Sequence, residues 1–229
     1  MGIGLRRSLR AARSRGARAA RAIPLVVPRR AHQLADDTED DRYPEIFRSV
    51  AAAIAAVGDE AGTILSYGCS DGDECFTLRR YLPAARIVGA DIRREKLKLA
   101  SARNRDPGIR FVSARRSTLS RNGPYEAIFA MSVLCRWPAT EKRDDCSRVY
   151  PFRRFERAVT RLDALLREGG LLVIYNANFR FTDTTVSSRY EPLEVPGVDD
   201  SGFVHLFAPT NRKLADQTYP HAVFRKRAA

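Results

Sequence analysis

The stretch from Thr63 to Asp91 constrains the fold more than any other part of the chain. Thr63 to Tyr67 is a short apolar run of strand character that leads into Gly68-Cys69-Ser70-Asp71-Gly72-Asp73-Glu74. Asp73 is placed to cap a helix running through Phe76, Leu78 and Tyr81 to Pro83. Arg86 to Asp91 (RIVGAD) then reads as a second strand. A strand, turn, helix and strand of this length predict a parallel pair joined by a right-handed crossover.

The alternation continues on both sides. Pro44 followed by Glu45-Ile46-Phe47 and an alanine-rich run to Val57 predicts a helix closed by Gly58. Arg94 to Asn104 predicts a helix, Ile109 to Ser113 a third strand, and Tyr125 to Met131 a fourth, after the turn Asn122-Gly123-Pro124. Pro151 opens an amphipathic helix with Phe155, Val159, Leu162 and Leu165 on one stripe, stopped by Gly169-Gly170. Leu171 to Tyr175 is expected as a fifth strand, and Phe203 to Ala208 and Ala222 to Lys226 as closing strands. Thr182 to Ser201 reads as a long irregular insertion. The sum is an α/β fold, a doubly wound and mostly parallel sheet with helices on both faces.

Ligands of such sheets lie beyond the carboxyl ends of the strands, where the strand order reverses. The first strand exits into two glycines four apart, Gly68 and Gly72, which turn the backbone sharply and let a ligand approach it. The second strand ends in Asp91, whose carboxylate can accept both hydroxyls of a ribose. GxxxG is not the GxGxxG of dinucleotide sites, and no Gly-Lys-Ser/Thr phosphate loop follows. A cofactor with a ribose but no pyrophosphate fits this pattern, and S-adenosylmethionine is one.

Gly-Cys-Ser-x-Gly-Asp-Glu-x-aromatic-Thr-Leu, from Gly68 to Leu78, resembles the first motif of the chemotaxis receptor glutamate methyltransferases. Leu165 to Ile174 is similar to the post-catalytic motif of class I S-adenosylmethionine-dependent methyltransferases. The resemblance spans about Ile64 to Tyr175. It implies a Rossmann-like methyltransferase in which Gly68, Cys69, Ser70, Gly72, Glu74, Asp91, Ile92 and Met131 surround the cofactor. In the chemotaxis enzymes an Arg-Asn pair follows strand four; here Ser132-Val133-Leu134-Cys135-Arg136-Trp137 stands instead. The third strand ends Ser113-Ala114-Arg115, without the acid many relatives carry. The Asn/Asp-Pro-Pro-aromatic motif of adenine and glutamine N-methyltransferases is also missing, for Asn176-Ala177-Asn178-Phe179 follows the wrong strand.

Methyl transfer from a sulfonium is an in-line displacement, so alignment of the acceptor supplies much of the catalysis. Substrate-side candidates follow strands four and five: Ser132, Arg136, Trp137, Asn176, Asn178 and Arg180. The two arginines can hold a carboxylate or phosphate, while Trp137 before Pro138 also reads as packing. His205, Asp144 and Asp145 are titratable, but none stands out as a base, and the catalytic base is left unassigned. The acceptor reads as small or conjugated, for example a saccharide, lipid or carboxylate. The alternatives are an RNA methyltransferase that uses a basic arm, and a non-catalytic binding protein that retains the fold.

That arm is residues 1–35, which hold nine arginines and no acid; the methyltransferase domain is expected over 36–229. The arm accounts for nine of the thirteen net positive charges, leaving +4 for the body. The body therefore does not read as a nucleic-acid clamp, and contact with RNA or an anionic membrane surface is assigned to the arm. No apolar run approaches the ~20 residues of a membrane span. Cys69, Cys75, Cys135 and Cys146 show no CxxC spacing, so no metal site is expected. Few cysteines without a signal peptide fit a reducing cytoplasm.

Overall fold

The computed structural model describes residues 31–33, 38–58 and 62–228. Most of the arginine-rich arm, residues 1–30, 34 and 35, lies outside the described residues. Among the described residues, five helices and seven strands alternate. Helix α1 (Pro44–Ala55) precedes β1 (Thr63–Tyr67), α2 (Asp73–Tyr81), β2 (Arg86–Asp91), α3 (Arg94–Arg103) and β3 (Ile109–Ser113). Then come α4 (Arg116–Asn122), β4 (Tyr125–Met131), α5 (Phe152–Asp163), β5 (Leu166–Tyr175), β6 (Tyr190–Leu193) and β7 (Val223–Lys226).

All seven strands form one sheet in the order β3-β2-β1-β4-β5-β7-β6. Strands β1 to β5 are parallel, and β7 runs antiparallel to both β5 and β6. The order reverses between β1 and β4, and the crevice of a doubly wound sheet opens at that point. This is a doubly wound, Rossmann-like arrangement in a single domain.

Alternation along the strands builds a core on each face. Ile64, Ile87, Ala127, Phe129 and Val173 join Ile46, Phe47, Val50 and Ile54 of α1 and Cys75 and Leu78 of α2. Leu65, Val88, Ile128, Ala130 and Leu172 instead meet Leu119 of α4 and Phe155, Val159 and Leu162 of α5. Burying both faces explains why the central strands read as unbroken apolar runs.

Three expectations need correction. Helix α5 ends at Asp163, and Gly169-Gly170 lie within β5, which begins at Leu166. Leu166 pairs with Tyr125 and Leu171 with Ala127, so the extra residues lie in β5, and Gly169 takes a left-handed turn among them (φ 74°). The pair of glycines thus makes a bulge, not a helix stop. Phe203 to Ala208 is not a strand, and holds only an isolated bridge from Phe207 to Lys213. The Gln217 side chain accepts from the Leu206 N–H (2.8 Å) and donates to its carbonyl (3.3 Å), taking groups a neighbouring strand would use. Finally, the insertion Thr182 to Ser201 holds two 3₁₀ turns (Phe181–Asp183 and Thr185–Arg189) and β6. Helix α4, only seven residues with one buried side chain, has no periodicity to announce it.

The far edge of the sheet is fastened to α5 by one carboxylate. Asp163 is buried at the C-terminal end of that helix, where an acid opposes the helix dipole. It accepts from Arg189, from the Tyr190 hydroxyl (2.8 Å), and pairs with Lys226 Nζ (3.2 Å). Its partners thus come from the residues leading into β6 and from both β6 and β7. Arg189 is half exposed, but Tyr190 and Lys226 are largely buried, and removing the carboxylate they share orphans them at a cost of about 3–5 kcal/mol. Asp163→Ala is expected to lower unfolding stability by that amount in urea titrations; a loss below about 1 kcal/mol would show that the edge holds itself.

Candidate functional site

The carboxyl edge of the sheet is built from strand ends in an unusual backbone conformation. Gly68 after β1 (φ 85°), Ser132 after β4 (φ 56°) and Asn176 after β5 (φ 54°) are all left-handed, as is Ser70 (φ 50°). Glycine takes this conformation freely, but for other residues it is strained, and such strain concentrates at functional sites.

The turn after β1 is strapped to the end of β2. Gly68 and Cys69 donate their N–H groups to the Ala90 carbonyl (2.7 and 3.1 Å), and the Ser70 N–H donates to Asp91 Oδ2 (3.0 Å). The other oxygen, Asp91 Oδ1, accepts from the Arg93 N–H (2.8 Å). Asp91 therefore stands on the same side of the sheet as the glycine turn. The Arg93 guanidinium also pairs with Oδ1 (3.6 Å); an ionised carboxylate has about four acceptor positions, so capacity for a diol is left. Beside it Ile92 is one of the few exposed large apolar side chains, 37% accessible, and offers a face for a flat ring. Cys69 and Met131 are buried around the same turn. Gly72, and not Asp73, caps α2, with φ 99° and no side-chain capping bond, and a Cβ there would meet the Phe111 ring at 2.9 Å and Ala100 at 3.2 Å. Its backbone conformation and its packing both demand glycine.

Glu74, in the first turn of α2, accepts a hydrogen bond from the Ser66 hydroxyl at 2.7 Å. Burial pushes its carboxyl up to about 7, against the opposing pull of that bond and of the Arg42 charge. It is thus poised between acid and carboxylate near neutral pH.

Next to Glu74 a three-residue cluster closes the other end of the edge. Asn176 Nδ2 donates to the Tyr43 hydroxyl (2.6 Å) and to Ser132 Oγ (2.9 Å), and those two oxygens are 3.0 Å apart. The amide carbonyl accepts from the Phe203 N–H (2.9 Å). The amide brings two protons and each hydroxyl one, while the three bonds among them use only three. One hydroxyl proton is left to donate to a further acceptor. Burial raises the Tyr43 phenol above its ordinary value, so it works here as a neutral donor and not as a base. Gly202 makes room for this arrangement, since a Cβ there would collide with Asn176 Oδ1.

The remaining sequence candidates make no hydrogen bond to the side chains of this cluster, although Trp137 borders it through Phe203. Asn178 is fully buried and holds loops together: its carbonyl accepts from the Arg136 N–H (2.7 Å) and its amide donates to the His205 carbonyl (2.8 Å). Trp137 packs edge-on against Phe203, with ring centroids 5.5 Å apart. Arg180 lies over the Tyr219 ring and bonds to the carbonyls of Asp216 and Thr218. Arg136 is half-buried near Arg154, and burial followed by that charge lowers its pKa. Sequence reasoning misses Tyr43 and Gly202 as site residues; a tyrosine directly before the helix-opening Pro44 is the only hint.

Residues 31–33 are also bound to the body. Arg154 donates to the Ala31 carbonyl (2.6 Å), His32 Nδ1 lies 2.7 Å from the Tyr150 hydroxyl, and Gln33 donates to Cys135 Sγ (3.0 Å). Among the described residues no group of three His, Cys, Asp or Glu side chains is placed to hold a metal, and the four cysteines are buried and free. No described helix is long and apolar enough to cross a membrane.

A reversed-order parallel sheet with a strapped glycine turn and a strand-ending carboxylate is suited to hold a nucleoside-bearing cofactor at its carboxyl edge. Residues 64–170, just under half of the chain, match the family model described as a methyltransferase domain. Over that stretch the chain is similar to methyltransferases. No curated protein sequence matches it. Solved structures similar to it include the plantazolicin methyltransferase BpumL in complex with SAH, at 16% identity and a TM-score of 0.42. That match covers 63% of this chain and 51% of BpumL, so the chain spans about half of BpumL's length. Cofactor-bound Rv0187 from MTB gives 0.41 at 16% identity, covering 73% of this chain and 64% of that one. Monomeric WbdD gives 0.49 at 15% identity, covering 85% of this chain and 42% of that one.

The state of Glu74 gives a direct test of the site's electrostatics. A carboxyl whose folded pKa is raised favours the fold below its unfolded value, near 4.5, and that advantage is lost as pH rises through about 7. Without cofactor, the wild type is expected to lose about 2–3 kcal/mol relative to Glu74→Gln between pH 4.5 and pH 8. Parallel stability profiles for the two proteins would show that Glu74 is not buried as described.

Proposed function

We propose that Gly68, Cys69, Ser70, Gly72, Glu74, Asp91, Ile92 and Met131 hold S-adenosylmethionine, and that the acceptor is presented beside Tyr43, Ser132 and Asn176. The observation that carries this reading is the bond from the Ser70 N–H to Asp91, which puts the glycine turn and the strand-ending acid in one crevice. In that crevice Asp91 accepts the ribose hydroxyls and Ile92 covers one face of the adenine. The left-handed turn at Gly68 to Gly72 lets the backbone lie against the cofactor. Glu74, when ionised, pairs with the amino group of the methionine part.

The cofactor supplies an activated methyl group; the chain supplies position. Tyr43, Ser132 and Asn176 are locked to one another, so the hydroxyl proton they leave over, on Tyr43 or Ser132, is free to orient an acceptor oxygen or nitrogen. Preorganisation of this kind supplies several kcal/mol towards the barrier without a strong base. The acceptor is read as small or carried on a larger conjugate. The likeness of Gly68 to Leu78 to the chemotaxis enzymes bears on the cofactor grip alone, because the residues after β4 differ.

Two measurements test the reading. Calorimetric titration with S-adenosylhomocysteine is expected to show binding by the wild type and a loss of about 1–3 kcal/mol, roughly five- to 150-fold, in Asp91→Ala. Unchanged affinity would remove Asp91 from the site. Because the Glu74 carboxylate is the form that pairs with an amino group, S-adenosylmethionine affinity is expected to rise between about pH 6 and pH 8 in the wild type. A flat profile, or an equal rise in Glu74→Gln, would exclude that pairing.

A further inference from the structure

A second feature of the molecule is a groove of about 2250 Å³ on the α4 and α5 side of the sheet, open at the carboxyl edge. Its floor includes Tyr67, Ile92, Ser113 and Ala114, from the ends of β1, β2 and β3. One wall is α5, which presents Arg153, Arg157 and Arg161. These are four residues apart, so they stand in a row about 6 Å apart along the helix. Opposite stand Arg115 and Arg116 at the start of α4, and Arg94 and Lys98, one turn apart on α3. Arg148 closes one end. All eight of these cations are exposed, and Arg154 adds a ninth.

Such a concentration of one sign is not dictated by the fold. Like charges at helical spacing repel, and a crevice of one sign focuses the potential and gathers counter-ions. All 27 acidic residues of the chain belong to the body, yet none is among the described residues that line the groove. The segregation is therefore specific to this surface. The field is felt within the protein: burial and then the charges of Arg154, Arg136 and Arg161 hold His32 down at about 3, so the ring stays neutral. Between the arginines stand the hydroxyls of Ser113, Ser117, Thr118, Ser120 and Ser147. Arginine with serine and threonine is the donor set that grips phosphate and sugar.

We propose that this groove binds a single strand of nucleic acid through its phosphodiester backbone. A row of cations along a concave wall fits a ligand with repeating negative charge. A lipid surface is flat and calls for exposed apolar side chains among the cations, whereas the apolar lining here is mostly recessed. Tyr67 and His32 are the only aromatic rings among the described lining residues, so backbone contact dominates and sequence preference is small. Because the floor reaches Ile92 beside Asp91, the strand passes the cofactor crevice; this last point rests on the proposed cofactor site, while binding itself does not.

Fluorescence anisotropy of a labelled single-stranded RNA, about twenty nucleotides long, with the full chain tests the groove independently of methyl transfer. Three double variants separate local binding from net charge: Arg157→Glu with Arg161→Glu, Arg115→Glu with Arg116→Glu, and the charge-matched Arg110→Glu with Arg121→Glu outside the groove. Each groove variant is expected to bind at least about tenfold more weakly than the matched control at roughly 100 mM salt. The plot of log affinity against log salt is expected to flatten by about 0.7 for each phosphate that the variant no longer neutralises. Circular dichroism melts confirm that the variants fold, and the two walls provide independent tests. Groove variants that bind like the control would overturn the proposal. So would binding to phosphatidylglycerol vesicles that depends on the groove arginines, with no binding to RNA.

Discussion

The site depends on the union of two strand ends. The turn leaving β1 hangs from β2 by the bonds of Gly68 and Cys69 to the Ala90 carbonyl and of Ser70 to the Asp91 carboxylate. These are available only because β1 and β2 are parallel neighbours in a register that sets Tyr67 against Ala90. A slip of one residue would turn Asp91 to the other face of the sheet. The two buried cores that flank the sheet fix that register, and so the apolar pattern of the strands ultimately sets the position of a polar group.

How far the sequence discloses this differs from place to place. Strands β1 to β4 are legible to the residue, because each is an apolar run between a helix signal and a turn. Gly169-Gly170 mislead, since two glycines after an amphipathic stripe look like a helix stop; only the pairing of Leu166 with Tyr125 reveals a bulge. Phe203 to Ala208 has the composition of a strand, but a distant glutamine side chain takes backbone bonds at its centre, and no local pattern encodes that. In the site, the turn and Asp91 form a contiguous motif and can be read. Tyr43, 89 residues from Ser132, meets it only through the fold.

Charge illustrates the same limit. A net charge of +4 for residues 36–229 describes an ordinary surface, yet it says nothing of where the charges stand. Helix α5 shows why: its buried stripe of Phe155, Val159 and Leu162 fixes its rotation, and Arg153, Arg157 and Arg161 are thereby turned together towards the groove. Packing on one side of a helix decides the electrostatics of the other.

Ser132 and Asn176 carry side chains in a backbone conformation that most residues avoid. Their variation is therefore limited twice over. Branched or bulky replacements are disfavoured by the main chain before any chemistry is considered, and glycine, which the main chain would welcome, carries no group to bond Tyr43. Few single substitutions satisfy both demands, so this corner of the molecule tolerates little change.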